Sequence, residues 1–373
     1  MSADDVRIRV HEMYMQRAIE LARRGWYTAK PNPRVGCVIL AGTRIIGDGW
    51  HARAGEPHAE RNALADAEAR GFDVKGATAY VTLEPCAHTG RTPPCTQALI
   101  EAGIERVVVG AQDPNPSVDG QGIDALRAAG IDVITGVLGE RCAALNAGFN
   151  QRMTSYRPRV RVKLAMSLDG RTAAADGTSQ WITGEPARED VHRLRAESGA
   201  VMIGRGTCVA DDPSLTVRLP GEWDQPLRVV LDSQLAMATD AKMFCQSGET
   251  LVFTASDDED KTGALEEAGA RVARVGGDST GLDLARVLGV LAEREINDVL
   301  VEAGPTLAGA LTQAGLVDEY IIYMAPQLIG DTGRGLMSLA GAVGLDDATR
   351  LVFDNAEPVG ADLKITARPV KDQ

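Results

Sequence analysis

His58-Ala59-Glu60 and, further along, Pro85-Cys86 and Cys95 bring together side chains suited to one kind of chemistry. One imidazole and two thiolates match the preferences of Zn²⁺ and leave a fourth position for water, as in catalytic sites and not in closed structural ones. Such a metal lowers the pKa of its bound water to about 7, so hydroxide is available at neutral pH. Glu60 follows His58 by two residues, and on a regular helix their side chains diverge by about 200°. That suits Glu60 to carrying protons beside the water, not to ligation. Alone, an HAE triplet is an ordinary helix start, and two cysteines in such a chain are ordinary core thiols. Together, H-x-E followed by Pro-Cys gives the zinc-deaminase pattern, with the longer loop PCAHTGRTPPC where that pattern has two residues between the cysteines.

These residues need a scaffold. Tyr14, Ala18 and Leu21 recur at helical spacing between His11 and Arg24, and Gly25 stops the pattern. VGCVIL (35–40) and TRIIGDGW (43–50), joined through Gly42, read as a hairpin. An Ala-rich helix from His58 to Arg70 precedes the strand ATAYVTL (77–83), and Pro93 and Pro94 mark the start of a helix through Ile100. Strand ERVVVG, a helix from Gly122 to Ala129 and strand IDVIT complete the pattern. This order predicts a mixed sheet between helices, an α/β/α sandwich. It puts His58 at a helix start, Cys86 just past a strand and Cys95 beside a helix N-terminus, where the dipole favours thiolate.

Charge narrows the partners. The chain has 52 acidic and 39 basic residues, a formal charge of -13, and residues 1–150 are close to neutral. No basic face is available for nucleic acid or an acidic membrane surface, and aromatic residues make up only 4%. The beginning, MSADDVRIRVHEMY, lacks the basic and apolar regions of a secretory signal, and six irregularly spaced cysteines do not form a disulfide framework. The expected location is the cytoplasm. Four of the five histidines, His11, His51, His58 and His88, fall in the first ninety residues, which concentrates imidazole chemistry there.

After Asn150 the stretch QRMTSYRPR separates two expected domains, residues 1–152 and 157–373. Strand patterns AVMIG, LRVVLD, TLVFT, ARVARV, DVLVEA and EYIIYMA alternate with helical stretches at 186–197, 283–294 and 306–314, a second α/β domain. No G-x-G-x-x-G fingerprint follows a strand. VEAGPTLAG (301–309) instead reads as strand, tight turn and helix start, a place where backbone N–H groups can meet a phosphate.

PNPRVGCVI (31–39), GWHARAGEPHAE (49–60), PCAHTGRTPPC (85–95) and DPNPSVDGQG (113–122) resemble the deaminase half of the bifunctional riboflavin-biosynthesis deaminase/reductases. KLAMSLDGRTA (163–173), SQWITG (179–184), LRAESGAVMIGRGTCVADDPSLTVR (194–218), RVVLDS (228–233) and VEAGPTLAGALTQAGLVDE (301–319) resemble their reductase half. The resemblance covers about residues 11–368. It implies a cytidine-deaminase-like domain followed by a dihydrofolate-reductase-like one, with Zn²⁺ and NADPH as cofactors. His58, Cys86 and Cys95 would hold zinc, and Glu60 would move protons while water displaces ammonia at C2 of a diaminopyrimidinone carrying a phosphoribosylamino group. Asn32, His51, His88 and Arg91 would touch that substrate. NADPH would meet Ala165, Trp181, Thr207, Asp211, Ser233 and the run Gly304, Pro305, Thr306, Leu307, Ala308, Gly309 and Ala310. Ser179, Arg195, Leu215, Arg218 and Glu302 would face the second substrate, whose C1′ takes the hydride to give a ribityl chain. Arg195 and Arg218 suit its 5′-phosphate. Lys163, Asp211 and Glu302 are open as sources of the accompanying proton, with Lys163 the possible donor. Ala29, where the family usually has Thr, and Cys208, where an aliphatic residue is common, are local departures.

The residues alone leave two rivals open. One is a nucleoside or base deaminase with a nucleotide-binding regulatory module as its second half, and the other keeps zinc as a structural ion and makes the second half a nucleotide-sensing, regulatory binding module. Oligomeric state is open too, a homo-oligomer included.

Overall fold

In the computed structural model the chain forms two compact units, residues 1–156 and 157–373. Residues 3–87, 93–116, 118–278, 281–341 and 344–370 are described.

In the first unit α1 (Ala3–Ala22) leads into β1 (Gly36–Ala41) and β2 (Arg44–Trp50), followed by α2 (Ala59–Ala69) and β3 (Thr78–Leu83). Then come α3 (Cys95–Glu101), β4 (Arg106–Ala111), α4 (Gln121–Ala128), β5 (Asp132–Thr135), α5 (Gly139–Ala144) and α6 (Ala147–Ser155). The sheet order is β2-β1-β3-β4-β5, with β1 antiparallel to both neighbours and β3, β4 and β5 parallel. Alternate residues of each strand face opposite sides. Cys37, Ile39, Val81 and Val107 pack with Ala63 and Leu126, while Val38, Leu40, Tyr80 and Val108 pack with Met15 and Ile19 of α1. Two differences from the sequence pattern stand out. α1 starts well before His11, because the exposed Val6, Ile8 and Val10 give its first turns no apolar stripe. The short helices α5 and α6 had no periodic signal of their own.

The helix α2 lies unusually close to β2. A Cβ on Gly49 would stand 2.4 Å from the Ala63 nitrogen and 2.6 Å from the Ala59 carbonyl oxygen, so only glycine lets these backbones meet.

The second unit is built on a nine-stranded sheet. Its first strand, β6 (Arg159–Ser167), is followed by β7 (Arg171–Ala173), α7 (Glu185–Glu197), β8 (Ala200–Gly204), α8 (Arg205–Asp211), β9 (Leu227–Leu231) and β10 (Thr250–Thr254). Next are α9 (Glu259–Glu267), β11 (Ala270–Arg274), the small pair β12 (Gly277–Asp278) and β13 (Gly281–Leu282), and α10 (Leu284–Glu293). The chain ends with β14 (Asp298–Val301), α11 (Pro305–Gln313), β15 (Glu319–Ala325), β16 (Arg334–Gly335), β17 (Leu351–Val359) and β18 (Asp362–Pro369). The order β11-β10-β9-β8-β14-β6-β15 is parallel throughout, and the β18-β17 hairpin adds antiparallel strands at one edge. That hairpin was not foreseen, since β17 is exposed almost along its length and carries no alternating pattern.

From β6 the chain winds outward through β8, β9, β10 and β11, and then returns to insert β14 between β6 and β8. The reversal makes the carboxyl ends of β6, β14 and β8 a topological switch point, the place where open α/β sheets bind ligands.

Candidate functional site

His58 is the N-cap of α2, in extended backbone, and Glu60 stands in the first turn of that helix. Cys86 follows the end of β3, and Cys95 opens α3. His58 Nδ1 lies 3.6 Å from Cys86 Sγ and 3.4 Å from Cys95 Sγ, and the three ligand atoms sit within 4.8 Å of one another. The Cys95 N–H donates to Cys86 Sγ at 3.4 Å, and the backbone and hydroxyl of Thr96 both donate to the Cys86 carbonyl. The thiols share their protons unequally. A hydrogen bond from the Cys95 thiol, with help from His58 and the Cys95 N–H, brings Cys86 down to about 4, while Cys95 is driven up by that same bond and by burial. One imidazole beside a ready thiolate and a second thiol is a donor set that fits Zn²⁺.

Glu60 is 3% exposed, and burial raises its carboxyl pKa, with the Cys86 thiolate adding to the rise. It stands outside the three-residue group and faces Cys95. Nearby, His51 is buried, with Nδ1 3.2 Å from the Pro57 carbonyl oxygen and Nε2 3.0 Å from Asn32 Nδ2. A carbonyl only accepts, so Nδ1 carries the proton and Nε2 accepts from the Asn32 amide. Asn32 Oδ1 makes no hydrogen bond among the described residues. His88 and Arg91 lie outside the described residues.

Glu84, which the sequence reading passed over, anchors this region. Its buried carboxylate accepts from the backbone N–H groups of Asp113, Gly120, Gly122 and Ile123 at 2.9–3.2 Å, tying the 113–123 segment to the residue just before Pro85-Cys86. Its position directly before Pro-Cys was the one available signal.

In the second unit the expected residues gather at the carboxyl ends of the parallel strands. Lys163 and Ala165 lie on β6, Thr207 and Asp211 on α8 after β8, Ser233 after β9, and Glu302 directly after β14. Ser179 and Trp181 are in the segment before α7, where the Arg188 guanidinium stacks 4.6 Å from the exposed Trp181 ring. Gly304 precedes α11, with Pro305 in its first turn. No side chain caps this helix, its first turn holds no acid, and a Cβ on Gly304 would meet nothing within 4 Å. Thr306 and Leu307 therefore offer backbone N–H groups to an anion such as a cofactor phosphate, and Ala308, Gly309 and Ala310 continue the turn. These residues fit NADPH.

Arg195 and Glu302 form a nearly buried bidentate pair, Nε to Oε1 at 2.6 Å and Nη2 to Oε2 at 2.9 Å, and Arg195 Nη1 donates to the Thr216 carbonyl at 2.9 Å. Burial resists ionisation of Glu302, but Arg195 overcomes it and the carboxyl stays below its ordinary value. All three Arg195 nitrogens thus donate inside the protein and not in a surface pair along its helix, and these bonds use three of its five N–H donors. Arg218 is exposed and makes no side-chain hydrogen bond or ion pair among the described residues. Leu215 is buried. Burial lowers the pKa of Lys163, which faces Glu302, Arg195 and Asp211. His192, also missed in the sequence, lies between Arg195 and Arg218 electrostatically.

Residues 158–365 match the model of the RibD C-terminal domain, and residues 8–111 that of the cytidine and deoxycytidylate deaminase zinc-binding region. The chain is 48% identical over 365 residues to the riboflavin biosynthesis protein RibD of Escherichia coli K12, covering 94% of this chain and 97% of that one. It also matches Acinetobacter baumannii RibD, with a TM-score of 0.89 and 42% identity over 98% of this chain and 100% of that chain. A Thermotoga maritima diaminohydroxyphosphoribosylaminopyrimidine deaminase/5-amino-6-(5-phosphoribosylamino)uracil reductase matches with a TM-score of 0.86 and 36% identity, over 98% and 100% of the two chains. The folds are therefore the cytidine-deaminase-like and dihydrofolate-reductase-like ones that the motifs implied. With both halves matched in one order and nearly from end to end, the chain belongs to the riboflavin biosynthesis protein RibD family.

Proposed function

We propose a division of labour in which residues 1–152 deaminate and residues 157–373 reduce. The chain is a bifunctional riboflavin-biosynthesis enzyme, a hydrolase and an oxidoreductase, that uses Zn²⁺ and NADPH. It deaminates 2,5-diamino-6-(5-phosphoribosylamino)pyrimidin-4-one and then reduces the ribosyl group to ribityl. The observation that carries the residue assignment is the convergence of His58 Nδ1, Cys86 Sγ and Cys95 Sγ within 4.8 Å, with Glu60 buried alongside. Its small phosphorylated partner and the acidic charge suit a cytoplasmic enzyme without nucleic-acid or membrane partners.

His58, Cys86 and Cys95 hold zinc, which when bound supplies an acidified water. Glu60 takes a proton from the attacking water at its carboxylate and returns it to the leaving amine nitrogen. Its raised pKa brings it closer to the working pH, where one carboxyl both accepts and donates. Asn32, turned by His51, presents Oδ1 to a substrate N–H or O–H, and His88 and Arg91 complete the contacts.

In the second unit the start of α11, from Gly304 to Ala310, binds a cofactor phosphate, while Ala165, Trp181, Thr207, Asp211 and Ser233 orient the rest. NADPH when bound supplies the hydride. Ser179, Leu215 and Glu302 bound the substrate, Arg195 holds Glu302 in place, and Arg218 binds the phosphate. Lys163 donates the accompanying proton from its ammonium, since Glu302 is kept ionised by Arg195 and is a poor acid. Supplying the diamino phosphoribosyl substrate and NADPH together tests the assignment. Ammonia should appear as nicotinamide absorbance falls; release of ammonia without any NADPH oxidation would remove the second activity.

A further inference from the structure

We propose that His192 is a positioning residue for phosphate recognition: it fixes the backbone of Arg218 and thereby sets the reductase's preference for a substrate carrying a phosphomonoester. This rests on Arg218 being the phosphate-binding cation.

His192 and Arg195 are three residues apart on α7 and so share a face of the helix. Both reach the 215–218 segment. His192 Nδ1 is 3.2 Å from the Arg218 N–H and 3.2 Å from the Thr216 carbonyl oxygen, which already accepts from Arg195 Nη1 at 2.9 Å. With the ring proton on Nε2 the Nδ1 lone pair takes the Arg218 N–H, and with the proton on Nδ1 it donates to the Thr216 carbonyl, so in either tautomer the ring holds the 216–218 backbone. Burial, then the Arg195 and Arg218 cations, push the imidazole down to about 4, so the ring is neutral at neutral pH and adds no third cation to the cluster. Between these two anchors Gln225 closes on Val217, accepting from its N–H at 2.8 Å and donating to its carbonyl at 3.4 Å.

Three consecutive residues, Thr216, Val217 and Arg218, thus have backbone groups clamped by side chains. Leu215, at the entrance, is buried with φ of 53°, a left-handed conformation for a non-glycine residue that persists only where the surroundings enforce it. The segment ends in the one arginine of this cluster whose guanidinium has no hydrogen bond or ion pair among the described residues. A long cation binds a small anion selectively only when its base is held still, because misplacement is costly in both affinity and rate.

The test measures reduction by the full-length enzyme with NADPH, using the deaminated aminouracil substrate and its dephosphorylated counterpart. His192→Leu should raise KM for the phosphorylated substrate about tenfold and leave KM for the dephosphorylated one and for NADPH within about twofold. An unchanged KM for NADPH also shows that the unit is folded. His192→Asn, which keeps an acceptor near the Nδ1 position, should restore most of the preference. In an Arg218→Ala background, His192→Leu should add little. Equal rises in KM for both substrates, or full additivity with Arg218→Ala, would overturn the proposal. So would a normal phosphate preference in His192→Leu while Arg218→Ala loses it, and in that case Arg218 keeps its assignment. If Arg218→Ala itself keeps the preference, the Arg218 reading fails and this one falls with it.

Discussion

The first unit holds carboxylate and thiol groups in unlike states within a few ångströms. Cys86 is the ready thiolate, whereas Cys95 is pushed upward by its hydrogen bond to Cys86 and by burial, and Glu60 by burial and the Cys86 charge. Metal binding must therefore displace the Cys95 proton, and Cys95→Ser, which substitutes a neutral hydroxyl, should lower the zinc content measured on purified protein. Full zinc retention in both Cys95→Ser and His58→Ala would refute the ligand set. In the second unit the informative pair is Arg195 and Glu302. Glu302→Gln leaves a guanidinium buried without its counterion and should destabilise that unit by roughly 3–5 kcal/mol in denaturant unfolding. The pH dependence has a definite sign. Glu302 has a folded-state pKa below its ordinary 4.5, so its contribution is complete above 4.5 and is lost as pH falls through the lower folded value. Glu302→Gln should flatten the acid limb of stability in that window; an acid limb identical to that of the unmutated protein would argue against the pair.

At the scale of elements, what positions the chemistry is close backbone packing. α2 carries both His58 at its cap and Glu60 in its first turn, and it sits on β2 through Gly49. Gly49→Ala should push α2 off the sheet, costing about 1–3 kcal/mol and weakening zinc retention together. Loss of stability with unchanged zinc affinity would mean that the helix moves as a body without disturbing His58. Most of this scaffold was legible because it obeys simple periods: strands 36–41, 78–83 and 106–111 alternate or run apolar, and the helix after His58 is bounded by Gly71. The His58, Cys86 and Cys95 cluster was legible because its residue types are rare in this chain and fall at element ends. Harder to read were features made by distant partners. Glu84 gains its role from four N–H groups more than twenty-eight residues away, and Arg195 gains its carboxylate partner in Glu302, 107 residues on. The exposed hairpin β17–β18 gave no amphipathic signal to find.

Across the whole molecule, two compact units each carry a complete set of candidate residues, and every contact named above lies within one unit. Under the proposed division of labour the two chemistries are separate, and each half-reaction measured on its own substrate tests that separation. Glu60→Gln keeps the shape of the side chain but removes the base, so ammonia release should fall by ~10²–10⁴-fold with zinc still bound. The same variant should reduce supplied aminouracil at the normal rate. Arg218→Ala should show the converse, impaired reduction with ammonia release intact. If folded, zinc-replete Glu60→Gln lost reduction of the supplied aminouracil, the separation would be contradicted, and Glu60 would belong to both reactions.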